Sequence, residues 1–212
     1  MPIGRMSSPL VTGEEMSSWL DPIEADAERV RLSAGIRPEV AVPDLEAAFG
    51  ALGLTVATRP LGRGRPEAVY TGHGVALLNP SGLPARTRFV AAHLLAHHLY
   101  GDEPHVEREV ERDLERPGCD DRQRRASGFA ARFLVGREAL WARAPARITA
   151  EAVLRLAAEF QVGYEVMLRR LRDTGLIEPE GWSEMDDVRV RWPTSSGHNG
   201  VGRHARPPHP GR

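Results

Sequence analysis

The sequence contains no lysine, so all 28 of its basic residues are arginine. With abundant alanine, glycine and proline, this usage suggests a GC-rich bacterial genome, which is a statement about codons rather than forces. The basic residues face 29 acidic ones and leave a net charge of -1. No overall field therefore draws the chain onto nucleic acid or an anionic membrane. There is one cysteine, Cys119. An internal disulfide is excluded, which suits a reducing cytoplasm, and with no partner at a metal or nucleophile spacing Cys119 reads as an incidental or buried thiol. No apolar run is long enough to span a bilayer, and the first 18 residues lack the apolar core of a signal peptide. These absences lead us to expect a cytoplasmic protein with no membrane partner.

What is present is a globular composition, 41% hydrophobic and 27% charged over 212 residues. That is enough chain for one domain with a real core, plus tails. Residues 1 to 12 read as disordered. A mostly helical stretch follows, in which Pro22 is expected to kink or split the helix. "PDLEAAFGALG" reads as a short helix, with Asp44 as cap, Leu45, Ala48, Phe49 and Leu52 as an apolar stripe, and Gly53 as the stop. "LTVATRPL" reads as a strand and "AVYTGHGVALLNP" as a hairpin around Gly-His-Gly, with His73 exposed in the turn. Residues 101 to 118 are densely charged, carry two prolines and show no apolar face, so they read as a solvated excursion. Gln123, Ala126, Ala130 and Phe133 share one face of a later helix. Two amphipathic helices meet at a tight turn near Gly163, and Gly175 ends the second. The fold class expected is α+β, a small antiparallel sheet of about three strands packed with helices.

The segment "RFVAAHLLAHHLY", residues 88 to 100, carries His93 and His97 four residues apart on a helix that Pro84 opens well. Histidines at i and i+4 project from one helix face and can hold one metal ion. A catalytic zinc site also needs a third protein ligand and a glutamate to take a proton from the metal-bound water. Alone, the two-histidine spacing is a weak signal.

The surrounding residues are more specific. "NPSGLPARTRFVAAHLLAHHL", residues 79 to 99, resembles the ImmA/IrrE family of zinc metallopeptidases, where a strand ending in Asn leads into an "RFt.AHELGHhl" helix. Asn79, Arg86, Arg88, Phe89, Ala92, His93, Leu95, His97, His98 and Leu99 match. "RRASGFAARFLV" is similar to a second family segment at Ala126, Phe129, Ala130 and Leu134, and "LRLAAEFQVGYEVMLRRLRDTGLI" resembles the family's closing helices. The resemblance runs from about residue 40 to 178. It implies a zincin-like metallopeptidase fold in residues 39–178, flanked by a helical or partly disordered extension (1–38) and a disordered tail rich in Arg, Pro and Gly (179–212).

The departures fall on the chemistry. Leu94 stands where the family has its catalytic glutamate, so no catalytic residue is assigned. The third ligand is expected at position 123, where Gln123 offers only a neutral amide oxygen. Asp120, one turn earlier, is the substitute ligand if the helix extends that far. Ala96 replaces the motif's glycine, and the proline expected after the second helix is absent, since Val135 and Gly136 stand there. The first expectation is that His93 and His97 pack with Leu94 and Gln123 in a metal-free core. The second is weak zinc binding by His93, His97 and Gln123 without efficient proteolysis. The third is an active peptidase whose substitute base is sought among Glu103, Glu107 and Asp120. Off the metal face, His98 reads as a surface histidine.

The resemblance thus implies a catalytically impaired metallopeptidase homologue that acts by binding a protein partner, with transcriptional repressors as the partner class. Two alternatives stand beside it: a working zinc endopeptidase that cleaves a repressor, and a DNA-binding regulator. In the last, Arg169, Arg170 and Arg172 would lie on a recognition helix and meet phosphates. Arginines of the tail, such as Arg189 and Arg203, would add non-specific contacts. The sequence assigns no substrate-binding residue.

Overall fold

A computed structural model describes residues 22–62, 66–80, 83–108, 110 and 120–177. The expected disordered segments at 1–12 and 179–212, Cys119, and most of the charged stretch after Arg108 lie outside the described residues.

Among the described residues, seven helices surround a four-stranded sheet. Helix α1 spans Pro22–Ser33. Pro22 is its first residue, where a missing N–H costs nothing because that group would have no helical partner. Helix α2, Leu45–Ala51, is capped as its sequence predicts, with Asp44 accepting from the Ala47 N–H at 3.1 Å. Strands β1 (Thr55–Thr58), β2 (Ala68–Gly72) and β3 (Val75–Leu78) follow. Between β2 and β3 the chain turns through three residues with positive φ: Gly72, His73 and Gly74. Gly74 is required there, since a Cβ would lie 2.4 Å from the Gly53 carbonyl oxygen.

The fold class is α+β, as expected, but the sheet is mixed rather than antiparallel. Its order is β1-β3-β2-β4, with β1 parallel to β3 and the other two pairs antiparallel. The reason is topological. The chain leaves β1 and passes beyond the next position to form β2, and the hairpin then brings β3 back between them, running with β1.

The fourth strand corrects the reading of residues 101 to 118 as a solvated excursion. Strand β4, His105–Glu107, pairs with β2 in the register Ala68↔Glu107 and Tyr70↔His105. Its three residues alternate between faces, so His105 and Glu107 point to the protein side and Val106 outward, 49% exposed. A charged sequence can form a strand here because its inward acid is matched by donors rather than by apolar surface.

Helix α3, Pro84–Leu99, packs against β2 and β3 on one side and on the other against helix α4, Asp121–Leu134. Phe89, Leu94 and Leu95 of α3 and Phe129 and Phe133 of α4 belong to the core and are at most 1% exposed. Burial of such side chains contributes about 1.5–3 kcal/mol each. Helix α5 (Arg137–Trp141) leads to the helical pair α6 (Ala150–Phe160) and α7 (Tyr164–Asp173). Gly175, at φ +70°, follows α7 as the sequence predicts.

Helix α1 is tied to this core by charge. Arg170 of α7 is fully buried and donates to both carboxylate oxygens of Glu24 at 2.8 Å, and its Nε donates to the Val135 carbonyl at 3.1 Å. Arg132 of α4 approaches the same carboxylate at 3.2 Å. This corrects the recognition-helix reading at one of its three arginines, because a buried Arg170 bound to Glu24 cannot meet a phosphate. Among the described residues, no helix is long and apolar enough to cross a membrane.

Candidate metal centre

The centre lies between α3, α4 and β4. His93 and His97, one turn apart on α3, place their Nε2 atoms 3.0 Å from each other, and both side chains are at most 1% exposed. Glu107 reaches in from β4, with Oε1 3.4 Å from His93 Nε2 and 3.3 Å from His97 Nε2. One ligand atom from each of His93, His97 and Glu107 lies within 4.8 Å of the others, a group able to hold a metal ion.

The surrounding shell orients both rings. His97 donates from Nδ1 to Asp102 at 2.8 Å, which leaves the Nε2 lone pair facing the centre. Arg125 in turn donates to Asp102 at 3.1 Å and lies over the Tyr100 ring at 4.1 Å. The Nδ1 of His93 pairs with the Ser127 hydroxyl at 3.1 Å. An imidazole fixed at one nitrogen by a carboxylate or hydroxyl is the usual second shell of a metal-bound histidine.

Gln123 of α4 joins the two halves. Its Oε1 lies 2.9 Å from His93 Nε2, and its amide donates to Glu107 Oε1 at 2.9 Å. His105 approaches the same carboxylate oxygen at 2.7 Å, while its Nδ1 donates to the Glu103 carbonyl. Burial alone would raise the Glu107 carboxyl, but the neighbouring His105, His93 and His97 outweigh it and hold the group well below the usual carboxylate range. Burial lowers His93, and the nearby Glu107 opposes this only in part.

The position of Glu107 has its own scaffold. Arg86, in the first turn of α3, is ion-paired with Glu67, just before β2. The other oxygen of Glu67 accepts from the Val110 N–H at 3.1 Å, and the Glu67 N–H donates to the Glu107 carbonyl at 2.8 Å. Glu67 thus ties the start of the histidine helix to the chain at Glu107 and just after it.

The structure brings together His93, His97 and Gln123, the positions that the histidine spacing and the family resemblance singled out. Leu94 points elsewhere, fully buried in the apolar core. Asp120 does not join them: it caps α4 by accepting from the Arg122 N–H at 3.0 Å and pairs with the Arg122 guanidinium. Glu103 lends its backbone carbonyl to His105, and its side chain is not among the donors of the group. Sequence reasoning named Glu107 only as a candidate base. Its signal was the H-x-E alternation in "HVE", which puts two titratable groups on one strand face. His98 corrects its reading as a surface histidine. It is half-buried and bridges the Leu52 carbonyl, at 3.2 Å from Nε2, to the Tyr70 hydroxyl, at 3.3 Å from Nδ1. Both histidines are buried, with the polar groups Gln123, Ser127 and Asp102 around them.

A small mixed sheet under a helix with two histidines, faced by a carboxylate, makes a group able to hold a metal ion. Residues 50–172 match the family model for the IrrE N-terminal-like domain, and the chain belongs to that peptidase family. No curated protein sequence matches the chain. Among solved structures it is similar to a Mycobacterium tuberculosis transcriptional regulator, with a TM-score of 0.51 and 19% identity, over 74% of this chain and 48% of the other. The chain therefore spans about half the length of that regulator, and the likeness is one of fold.

Proposed function

We propose that this chain is a non-hydrolytic, metal-holding member of its family that acts by binding a protein partner. The observation that carries the reading is Leu94. It follows the first histidine, where the resemblance places the proton-accepting glutamate, and it is 0% exposed within apolar packing. A leucine accepts no proton, and loss of a positioned general base typically costs about 10²–10⁴ in rate.

The residues present fit a divalent ion. Two imidazoles converge through Nε2, each is held at Nδ1, and a buried carboxylate faces both. Zinc, when bound, supplies a Lewis acid that polarises a bound water or carbonyl. The chain's own residues do the rest. Asp102 and Ser127 orient the imidazoles, His105 and Gln123 hold the carboxylate, and Leu94 keeps water from the place where a base would stand.

For the partner, β4 offers an edge. Among the described residues it pairs only with β2, on one side, and Val106 stands exposed on it. An extended segment can add to such an edge through main-chain hydrogen bonds. The family resemblance points to a transcriptional repressor as the protein supplying that segment, and the similar solved structure is itself named as a transcriptional regulator. Location in the cytoplasm belongs to the same reading, as does a division into an extension (1–38), a family domain (39–178) and a tail (179–212).

A second reading is favoured by Glu107, an ionised carboxylate within 3.4 Å of both imidazoles. If Glu107 takes the proton and Gln123 supplies the third ligand, the chain is an active endopeptidase. Cleavage separates the two. Repressors encoded by neighbouring genes are incubated with the full chain, with and without zinc or manganese. The proposal expects intact substrate that nonetheless co-elutes with the chain. Cleavage abolished by His93→Ala or by a chelator overturns it.

A further inference from the structure

We infer that the third metal ligand of this centre has moved from helix α4 to strand β4: Glu107 binds the ion, and Gln123 is the amide clamp that positions it. The inference rests on the metal-holding reading above and adds which residue supplies the third donor.

The argument begins with the chemistry of the two candidates. Both side chains lie within reach of His93 Nε2, Gln123 Oε1 at 2.9 Å and Glu107 Oε1 at 3.4 Å. Only Glu107 also faces His97 Nε2, at 3.3 Å. A ligand must reach the point on which both imidazoles converge, and a carboxylate is a far better donor to zinc than a neutral amide. Glu107 is also 3% exposed, and its Oε1 accepts from the Gln123 amide at 2.9 Å, with His105 Nε2 2.7 Å away. An ionised carboxylate is costly to bury without partners of that kind.

The identity of residue 123 then follows from that of residue 107. A glutamate at 123 would place a second carboxylate oxygen where the Gln123 amide nitrogen now stands, 2.9 Å from Glu107 Oε1. Two acceptors at that distance with no proton between them repel. The amide removes the repulsion and replaces it with a hydrogen bond. Glutamine at 123 therefore reads as one half of a paired change, the other half being the acid on β4. His105, two residues away on the same strand face, lies 2.7 Å from the same carboxylate oxygen.

The test uses the full chain, stripped with a chelator and titrated with zinc alone. Affinity is read by competition with a chromophoric chelator, and zinc-dependent thermal stabilisation serves as a second readout. The inference expects Glu107→Gln to weaken zinc binding by 100-fold or more and Gln123→Ala to weaken it by about tenfold, the range typical for loss of an outer-shell partner. A spectroscopic arm does not depend on affinity. With cobalt in place of zinc, Glu107→Cys is expected to give a thiolate-to-metal charge-transfer band, and Gln123→Cys to give none. The reverse pattern, with zinc lost on Gln123→Ala, retained on Glu107→Gln and the band at position 123, overturns the inference while leaving a metal-holding protein. A wild-type chain that takes up no zinc at all overturns the metal-holding reading itself. Circular dichroism of each metal-free variant separates a lost ligand from a lost fold. Should Glu107→Gln fail to fold, the cobalt spectrum of Glu107→Cys decides.

Discussion

Removing the Glu24 carboxylate should be among the most damaging single changes outside the metal centre. Arg170 is 0% exposed and makes two 2.8 Å bonds to Glu24, so Glu24→Leu strands a guanidinium in the interior with only the Val135 carbonyl. Breaking a buried pair from one side costs about 3–5 kcal/mol, because the remaining charge has lost its water and gained nothing. The opposite truncation is milder. Without Arg170, Glu24 keeps Arg132 at 3.2 Å, so we expect roughly half as much from Arg170→Met. Exchanging both together leaves a well-packed apolar pair, and most of the loss should return.

Urea titration of the three variants checks this, read as a midpoint shift at constant slope. For a chain of this size, 3–5 kcal/mol corresponds to a fall of roughly 10 °C in the thermal midpoint. The pair fastens α1 to α4 and α7, so hydrogen exchange in residues 22 to 33 should rise in Glu24→Leu before global unfolding. A cost below about 1 kcal/mol, the range of exposed ion pairs, would refute the reasoning. So would equal costs for the two single variants.

The remaining predictions concern the site and its frame. Glu107 is held low by its histidine neighbours, so the stability it contributes is fully present above the ordinary carboxylate value and is lost progressively as pH falls below that value toward the lower folded one. The metal-free wild type should therefore lose urea resistance more steeply between about pH 5 and 3 than Glu107→Gln does, and parallel profiles would refute this. His98→Leu removes bonds to Leu52 and Tyr70 and should cost about 1–2 kcal/mol in a urea midpoint without changing zinc uptake. Asp44→Ala deletes the α2 cap and should cost about 1 kcal/mol by the same measurement. Asp102→Asn keeps the shape but weakens the acceptor on His97, and should lower zinc affinity by about tenfold in the chelator competition.

Much of the frame was legible because its signals are local. Asp44 caps α2, Pro84 opens α3, and the Gly-His-Gly hairpin appears where its residues place it. A helix with His93 and His97 on one face needs only the 3.6-residue period to be read. The direction of β1 was not legible, since parallel pairing with β3 depends on where the chain travels between strands. Nor was the partner of Arg170: Glu24 lies 146 residues away and nothing in the local pattern of either helix names the other.

Strand β4 failed for a different reason, and the failure is informative. Strand propensity asks for β-branched and aromatic residues on a half-buried face, and "HVE" offers only one. Its inward residues are held by the chemistry of the centre, His105 on Glu107 and Glu107 between Gln123 and two histidines, so the strand can be recognised only once the site is known. The same circularity bears on residue 123. Taken alone, glutamine where a ligand is expected reads as a loss. Beside Glu107 it is the one side chain of similar size that offers a donor to the carboxylate and an acceptor to His93 at once. A departure from a family's motif is thus weighed by what stands opposite it in the fold. By that measure the two departures in this chain differ in kind: Gln123 has a counterpart that accounts for it, and Leu94, surrounded by apolar packing, has none.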